Sequence, residues 1–273
     1  MFPFGPSAPW IPEGRTIRLS LPRRLVVDLV HFGHKVPTVP VQKVINIGAL
    51  APVRSQLDPR PSWCTLFTKA YALVALEFPE LRRSYMPLPW ARLYEHPETI
   101  VSIAVERQYQ GENGVFFGHV NAPEKLGVMA LEAKLRHFKD TPVESVEDFW
   151  YTTLITRLPK PLRRFLWWYV TQIRGFRKSL WLGTFGISVY SGLGAESLHP
   201  ISPLTTVINY GVIQPTGEVT VRIVYDHRAM DGSTIARALG RLEKVMNGEI
   251  LAELRSLAEA RDGTAAQPVV SSS

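Results

Sequence analysis

The chain has 273 residues, 45% hydrophobic and 20% charged, enough for one large core and unlike a disordered or fibrous composition. Its 31 basic residues exceed its 24 acidic ones by a formal net charge of +7. A single cysteine, Cys64, excludes an internal disulfide framework and a zinc cluster built on thiolates, and reads as a small buried helix residue.

Residues 1–14 are rich in Pro and Gly and are expected to form an N-terminal arm. They lack the basic and apolar regions of a secretory signal, and no segment reaches the ~20 apolar residues of a spanning helix. The expectation is a cytoplasmic protein. The main domain is expected over residues 15–261, with a flexible tail over 262–273.

Arg23 to His34 predicts a first helix, carrying Leu25, Val26, Leu29 and Val30. Val39 to Ile47 alternates as a strand. Ser62 is placed to cap a helix containing Leu66, Ala70, Leu73 and Val74, which Pro79 stops. Ile100 to Tyr109 and Val115 to Val120 predict two strands joined through Gln110–Gly114. Pro123 stands where a helix reaching about Phe138 would open. Gly186 to Tyr190 is a short strand. Thr205 to Ile213 and Glu218 to Tyr225 are two more, separated by a Gln214-Pro215-Thr216-Gly217 turn. Helices close the chain at Ser233–Met246, ended by Asn247-Gly248, and at Ile250–Ala260. The sum is a mixed α/β domain of the α+β type: an antiparallel or mixed sheet with helices packed on it.

The most informative stretch is Tyr225-Asp226-His227-Arg228-Ala229-Met230-Asp231-Gly232, between the last strand and a strongly periodic helix. A histidine at a strand end is held rigidly, and a neutral imidazole takes a proton near pH 7. Gly232 lets the backbone reverse without a side chain in the way. The other six histidines read as structural. His31 and His34 sit on adjacent helical turns, but no acidic partner stands at ligand spacing, so no metal is expected.

The motif Asp226-His227-Arg228-x-x-Asp231-Gly232 resembles that of the catalytic domain of 2-oxoacid dehydrogenase acyltransferases, the E2 components, which share a fold with chloramphenicol acetyltransferase. Gly183-Thr184-Phe185-Gly186-Ile187-Ser188 is similar to a second block of that family, followed by Pro200-Ile201 and Gly211 in step. Phe67-Thr68-Lys69-Ala70-Tyr71-Ala72-Leu73 through Pro79-Glu80-Leu81 is a third, weaker match. The resemblance spans about Arg15 to Ala260. It implies that His227 is a general base and that the Ser188 hydroxyl donates to the oxyanion of a tetrahedral intermediate. Ser191 is the alternative donor under a gapped alignment. Asp231 is implied to be structural, holding Arg23 or Arg24 of the first helix. A homotrimer is implied as well, with His227 and Ser188 contributed by different chains, and coenzyme A as the thioester carrier.

Two departures accompany the matches. The family's asparagine after the serine is Val189 here, and the link from Gly211 to the last strand is shorter. The chain carries no lipoyl attachment site, so the leading expectation is a stand-alone acyltransferase using acyl-CoA. A dihydrolipoamide acyltransferase core served by a lipoyl domain on another chain is the alternative, and an inactive trimeric scaffold the rival of another class.

A basic, aromatic segment at about 149–182 has no counterpart in the family pattern. Arg157, Lys160, Arg163, Arg164, Arg174, Arg177 and Lys178 stand there with no acidic residue between Tyr151 and Trp181, and equal the chain's whole positive excess. Charge confined to one segment argues against a nucleic-acid surface. A helix opened by Pro161 would carry Leu162, Phe165, Leu166, Tyr169, Ile173, Phe176 and Leu180 as one apolar stripe. Three readings follow: packing on its own domain or a neighbouring subunit with solvated arginines, membrane-surface contact through 161–181, or a wall beside the acyl chain and phosphates of coenzyme A.

Overall fold

The computed structural model describes residues 13–265, so most of the predicted arm and the last residues of the tail lie outside the described residues. Helix α1 (Leu21–Gly33) leads into β1 (Thr38–Asn46), the short α2 (Leu50–Ser55) and α3 (Trp63–Glu77). Ser62 caps α3 as predicted, its Oγ accepting from Thr65 N at 3.2 Å. A two-stranded ribbon, β2 (Arg83–Met86) and β3 (Arg92–Glu95), precedes the long hairpin of β4 (Ile100–Tyr109) and β5 (Glu112–Asn121). The hairpin turn is only Gln110-Gly111, both at positive φ, which matches the strand twist; the five-residue link predicted there is too long.

Pro123 opens a single 3-10 turn, and α4 starts separately at Val128, ending at Asp140. The inserted segment folds as three helices, α5 (Glu147–Arg157), α6 (Lys160–Gln172) and α7 (Gly175–Leu182). Then come β6 (Phe185–Ile187), β7 (Thr206–Tyr210), β8 (Glu218–Asp226), α8 (Gly232–Val245) and α9 (Leu251–Ala265). Asn247-Gly248 does not stop α8: a π turn over Met246–Ile250 carries it into α9, because Met246 and Ile250 are fully buried. Helix α9 also runs to Ala265, past the predicted start of the tail.

The main sheet has six strands in the order β1-β8-β7-β6-β4-β5. β6 lies parallel to β4 and β7; the remaining pairs are antiparallel. Strand alternation sorts its side chains onto two faces. One carries Val101, Ile103, Phe185, Ile187, Ile208, Val221 and Ile223, all in the main core with α3 and α8. The other carries Ser102, Ala104, Phe117, His119 and Gly186, and lies under α1 and the inserted helices. Both faces of β8 are buried, whereas its sequence alternation shows only one.

The inserted helices pack on their own domain, but not through the predicted stripe. Arg163, Trp167, Val170 and Thr171 of α6 are buried, while Leu162, Phe165, Phe176 and Leu180 are exposed. The rotation follows from Asp28 of α1, fully buried, which accepts a hydrogen bond from Arg163 Nε. Trp167 beside it stacks on Phe32 at 5.7 Å.

Candidate active site

β8 ends at Asp226, whose buried carboxylate organises the turn that follows. It accepts from Arg228 N at 3.0 Å, Nε at 2.9 Å and Nη2 at 2.8 Å, while Asp226 O accepts from Ala229 N. The Arg228 guanidinium stacks 4.5 Å over the Tyr85 ring. His227 stands between the two members of this clamp, its backbone N–H donating to Pro37 O. Its side chain is 49% exposed on the protomer surface.

Met230 O lies 3.1 Å from His227 Nδ1. A carbonyl only accepts, so Nδ1 carries the hydrogen and Nε2 of the neutral ring keeps its lone pair. Asp231 Oδ1, 3.6 Å from Nδ1, reinforces that tautomer. Tyr225 packs behind the ring with centroids 5.5 Å apart. Gly232 is the first residue of α8, and a Cβ there would come within 3.3 Å of the Tyr225 hydroxyl.

Within one chain, Asp231 does not meet the arginines suggested for it. Its side chain is 81% exposed, and no ion pair joins it to Arg23 or Arg24 among the described residues. Helix α1 explains why. Its first turn packs at the β4–β5 hairpin, with Pro22 against Gly114, far from the end of β8. Arg24 Nε instead donates to Leu19 O, and Arg23 N caps onto Ser20 Oγ. The arginine–aspartate pair of this turn is Arg228–Asp226, both within the motif; the interval of two residues was the signal available in the sequence.

Ser188 directly follows β6, with its N–H donating to Ile208 O at 3.3 Å. It lines an open cavity of about 360 Å³ with Ser102, Ala104, Phe117, Gly186 and His199. Ser191 lies beyond Ser188, at the start of a 3-10 turn over Ser191–Leu193, and does not line that cavity. Ser188 and His227 do not meet within one chain. The register pairs Ile187 with Ile208 and Ile208 with Ile223, so Ser188 falls level with Arg222. His227 is five residues and two strands away, roughly 19 Å at ordinary strand spacings.

Three further observations bound the chemistry. Burial raises the Cys64 thiol to about 11, which leaves no thiolate nucleophile there. No group of three or more histidine, cysteine or acidic residues among the described residues is arranged to hold a metal ion. No described helix is long and apolar enough to cross a membrane.

No protein-family model matches the chain, and no curated protein sequence matches it. Solved structures do. The Azotobacter vinelandii dihydrolipoamide acetyltransferase superposes with a TM-score of 0.66 at 17% identity, covering 90% of this chain and 99% of that one. The chain has the dihydrolipoamide acetyltransferase fold. A probable dihydrolipoamide acetyltransferase from Listeria monocytogenes agrees at TM-score 0.61 and 14% identity, over 89% and 95% of the two chains. The truncated catalytic core of the 2-oxoacid dehydrogenase complex from Thermoplasma acidophilum gives 0.62 and 14%, over 86% and 99%. The acetyltransferase fold and the mixed sheet anticipated from the motifs are therefore present.

Proposed function

We propose that this chain is an acyltransferase moving an acyl group from a coenzyme A thioester to a hydroxyl, amine or thiol acceptor. The observation that carries the reading is the His227 ring: Nδ1 is committed to Met230 O, and Nε2 is a free acceptor at the surface of a dihydrolipoamide acetyltransferase fold. In the Azotobacter vinelandii enzyme a serine, a histidine and an asparagine four residues beyond the histidine have a role in the catalytic mechanism. His227 and Asp231 stand at the same interval here.

His227 Nε2 takes the proton of the acceptor, whose heavy atom attacks the thioester carbonyl. The carbonyl oxygen becomes an oxyanion, to which Ser188 Oγ donates a hydrogen bond. Collapse breaks the carbon–sulfur bond, and the leaving thiolate recovers the proton from His227. A positioned base is worth ~10²–10⁴ in rate and an oxyanion donor ~10²–10³. No covalent enzyme intermediate is needed.

Because Ser188 and His227 lie five residues and two strands apart on one sheet, the site is assembled from two protomers of a homotrimer. The loop after Ser188 supports this with an apolar surface, Leu193 at 78% and Leu198 at 69% exposure, suited to cover by a neighbour. Dihydrolipoamide is the second acceptor to consider, because the proteins of this fold are named for it. Assaying acetyl-CoA with alcohol, amine and dihydrolipoamide acceptors tests the reading. Transfer lost in His227→Ala supports it; equal rates in both proteins, or none with any acceptor, count against it.

A further inference from the structure

Beneath the inserted helices lies a cavity of about 80 Å³, bordered by Leu29 of α1, Trp167 and Val170 of α6, and Trp181 of α7. Its lining is largely apolar, yet Ser102 and His119 stand in its floor. They face each other in register on β4 and β5, with Cβ atoms ~4.5–5.5 Å apart as in any such pair. His119 Nε2 is buried and has no hydrogen-bond partner among the described residues. A buried polar atom without a partner is costly and calls for one.

The other side of this imidazole is occupied. Asp148 Oδ2 accepts from the His119 backbone N–H at 2.6 Å and faces Nδ1 at 3.7 Å. A carboxylate opposite Nδ1 favours the proton on that nitrogen, leaving Nε2 as an acceptor. The group that suits it is a hydroxyl donor.

The cavity adjoins the one that Ser188 lines. Leu29, Ser102 and Phe117 border both, and strand alternation puts Ser188, Ser102 and His119 on one face of the sheet. From Ser188 to His119 is two residues along and two strands across, roughly 12 Å. Since a water-sized group fills ~30 Å³, the cavity beneath the helices holds two or three methylene-sized groups.

Resting on the function proposed above, we infer that this cavity is an acyl-chain subsite, selecting a medium-length chain that carries a hydroxyl group near its far end. Ser188 would hold the thioester carbonyl, the open cavity the first carbons, and the cavity beneath the helices the last. His119 Nε2 accepts from the chain hydroxyl, and Ser102 completes its hydrogen bonding.

The test compares kcat/KM for acetyl-, hexanoyl- and ω-hydroxyhexanoyl-CoA in wild type, Val170→Trp, Ile155→Phe and His119→Phe. Ratios are read within each protein, so a general loss of activity cancels. The expected wild-type order is hydroxyhexanoyl over hexanoyl over acetyl. Filling the cavity by either Val170→Trp or Ile155→Phe should lower the hexanoyl-to-acetyl ratio at least ~10-fold, the scale of one misfitted methylene. His119→Phe should remove the hydroxyl preference and keep the preference for length. Acetyl-CoA preferred in wild type, or ratios unchanged in both filling variants, would overturn the subsite. Free hexanol and hexanediol, followed by Trp167 and Trp181 fluorescence, separate the two claims. Tighter hexanediol binding that is abolished by Val170→Trp, in a protein that transfers no acyl group, rejects the catalytic reading alone. No binding of either alcohol together with no length preference rejects the subsite.

Discussion

Arg163 donates its Nε hydrogen to Asp28 Oδ2 in a pair closed to solvent on both sides, Asp28 at 0% and Arg163 at 6% exposure. Arg163 also reaches Leu158 O at 3.1 Å through Nη1, tying the start of α6 to the end of α5. This pair, not the apolar stripe, fixes how the inserted helices sit over the sheet. Arg164 Nε lies 2.7 Å from Asp28 Oδ1, but neither atom has an aligned hydrogen-bond partner, so the Arg164 contact is charge without a directed bond.

Removing one partner of a buried pair strands the other, at about 3–5 kcal/mol. Arg163→Met is therefore expected to lower unfolding stability by about 3 kcal/mol, and Arg164→Met by under ~1 kcal/mol. The double variant Asp28→Leu, Arg163→Met should be more stable than Arg163→Met alone. Urea titrations measure all three; equal losses for Arg163→Met and Arg164→Met would refute the assignment.

His96 predicts an acid limb. Burial, with smaller contributions from Lys178 and Arg82, lowers its imidazole to about 4, below the unfolded value of 6.5. The unfolded chain then binds more protons between those values, so stability falls as pH drops from about 6.5 towards 4, by up to ~3 kcal/mol. His96→Gln should flatten that slope, read as urea midpoints at pH about 7 and about 5. Parallel losses in both proteins would exclude His96 as the source.

Lys178 makes the opposite limb. Burial lowers its ammonium from 10.5 to about 8, against the raising influence of nearby Asp226. The folded state resists the charge, so the penalty is complete below pH about 8 and fades as the solution approaches 10.5. Lys178→Met should therefore raise the melting temperature at pH 7, with the gain shrinking at pH about 10. A Met variant less stable than wild type at pH 7 would show that Asp226 needs this cation.

The proposed oxyanion donor separates cleanly from its neighbour. Ser188→Ala should cut kcat ~10²–10³-fold with little change in KM, because the donation matters only as charge develops. Ser191→Ala, outside the cavity that Ser188 lines, should retain wild-type kcat. The reverse order would move the donor to Ser191.

Much of this architecture could be read from short-range rules. Ser62 capping α3, the alternation of β1 and β8, and the glycine after Asp231 each act within a few residues, and the corresponding elements form. What escaped depends on partners distant in sequence. Nothing near Asp28 announces Arg163, 135 residues away. Asn247 looked like a helix stop, but its side chain donates to Asn46 O and Glu243 O, and buried flanks carry the helix through. At the site, the motif identified the His227 turn, while the choice of arginine for its aspartate required knowing where α1 lies. His119 gave no signal at all, since its interest comes from Asp148 and from helices folded over it.

The claim beneath all of this is that the base and the oxyanion donor sit on separate chains. Co-assembling His227→Ala with Ser188→Ala subunits and measuring acyl transfer addresses it directly. In trimers mixed at random, roughly a quarter of the interfaces regain both groups, so activity should return to about that fraction of wild type. Mixtures as inactive as either parent, despite verified exchange of subunits, would contradict it.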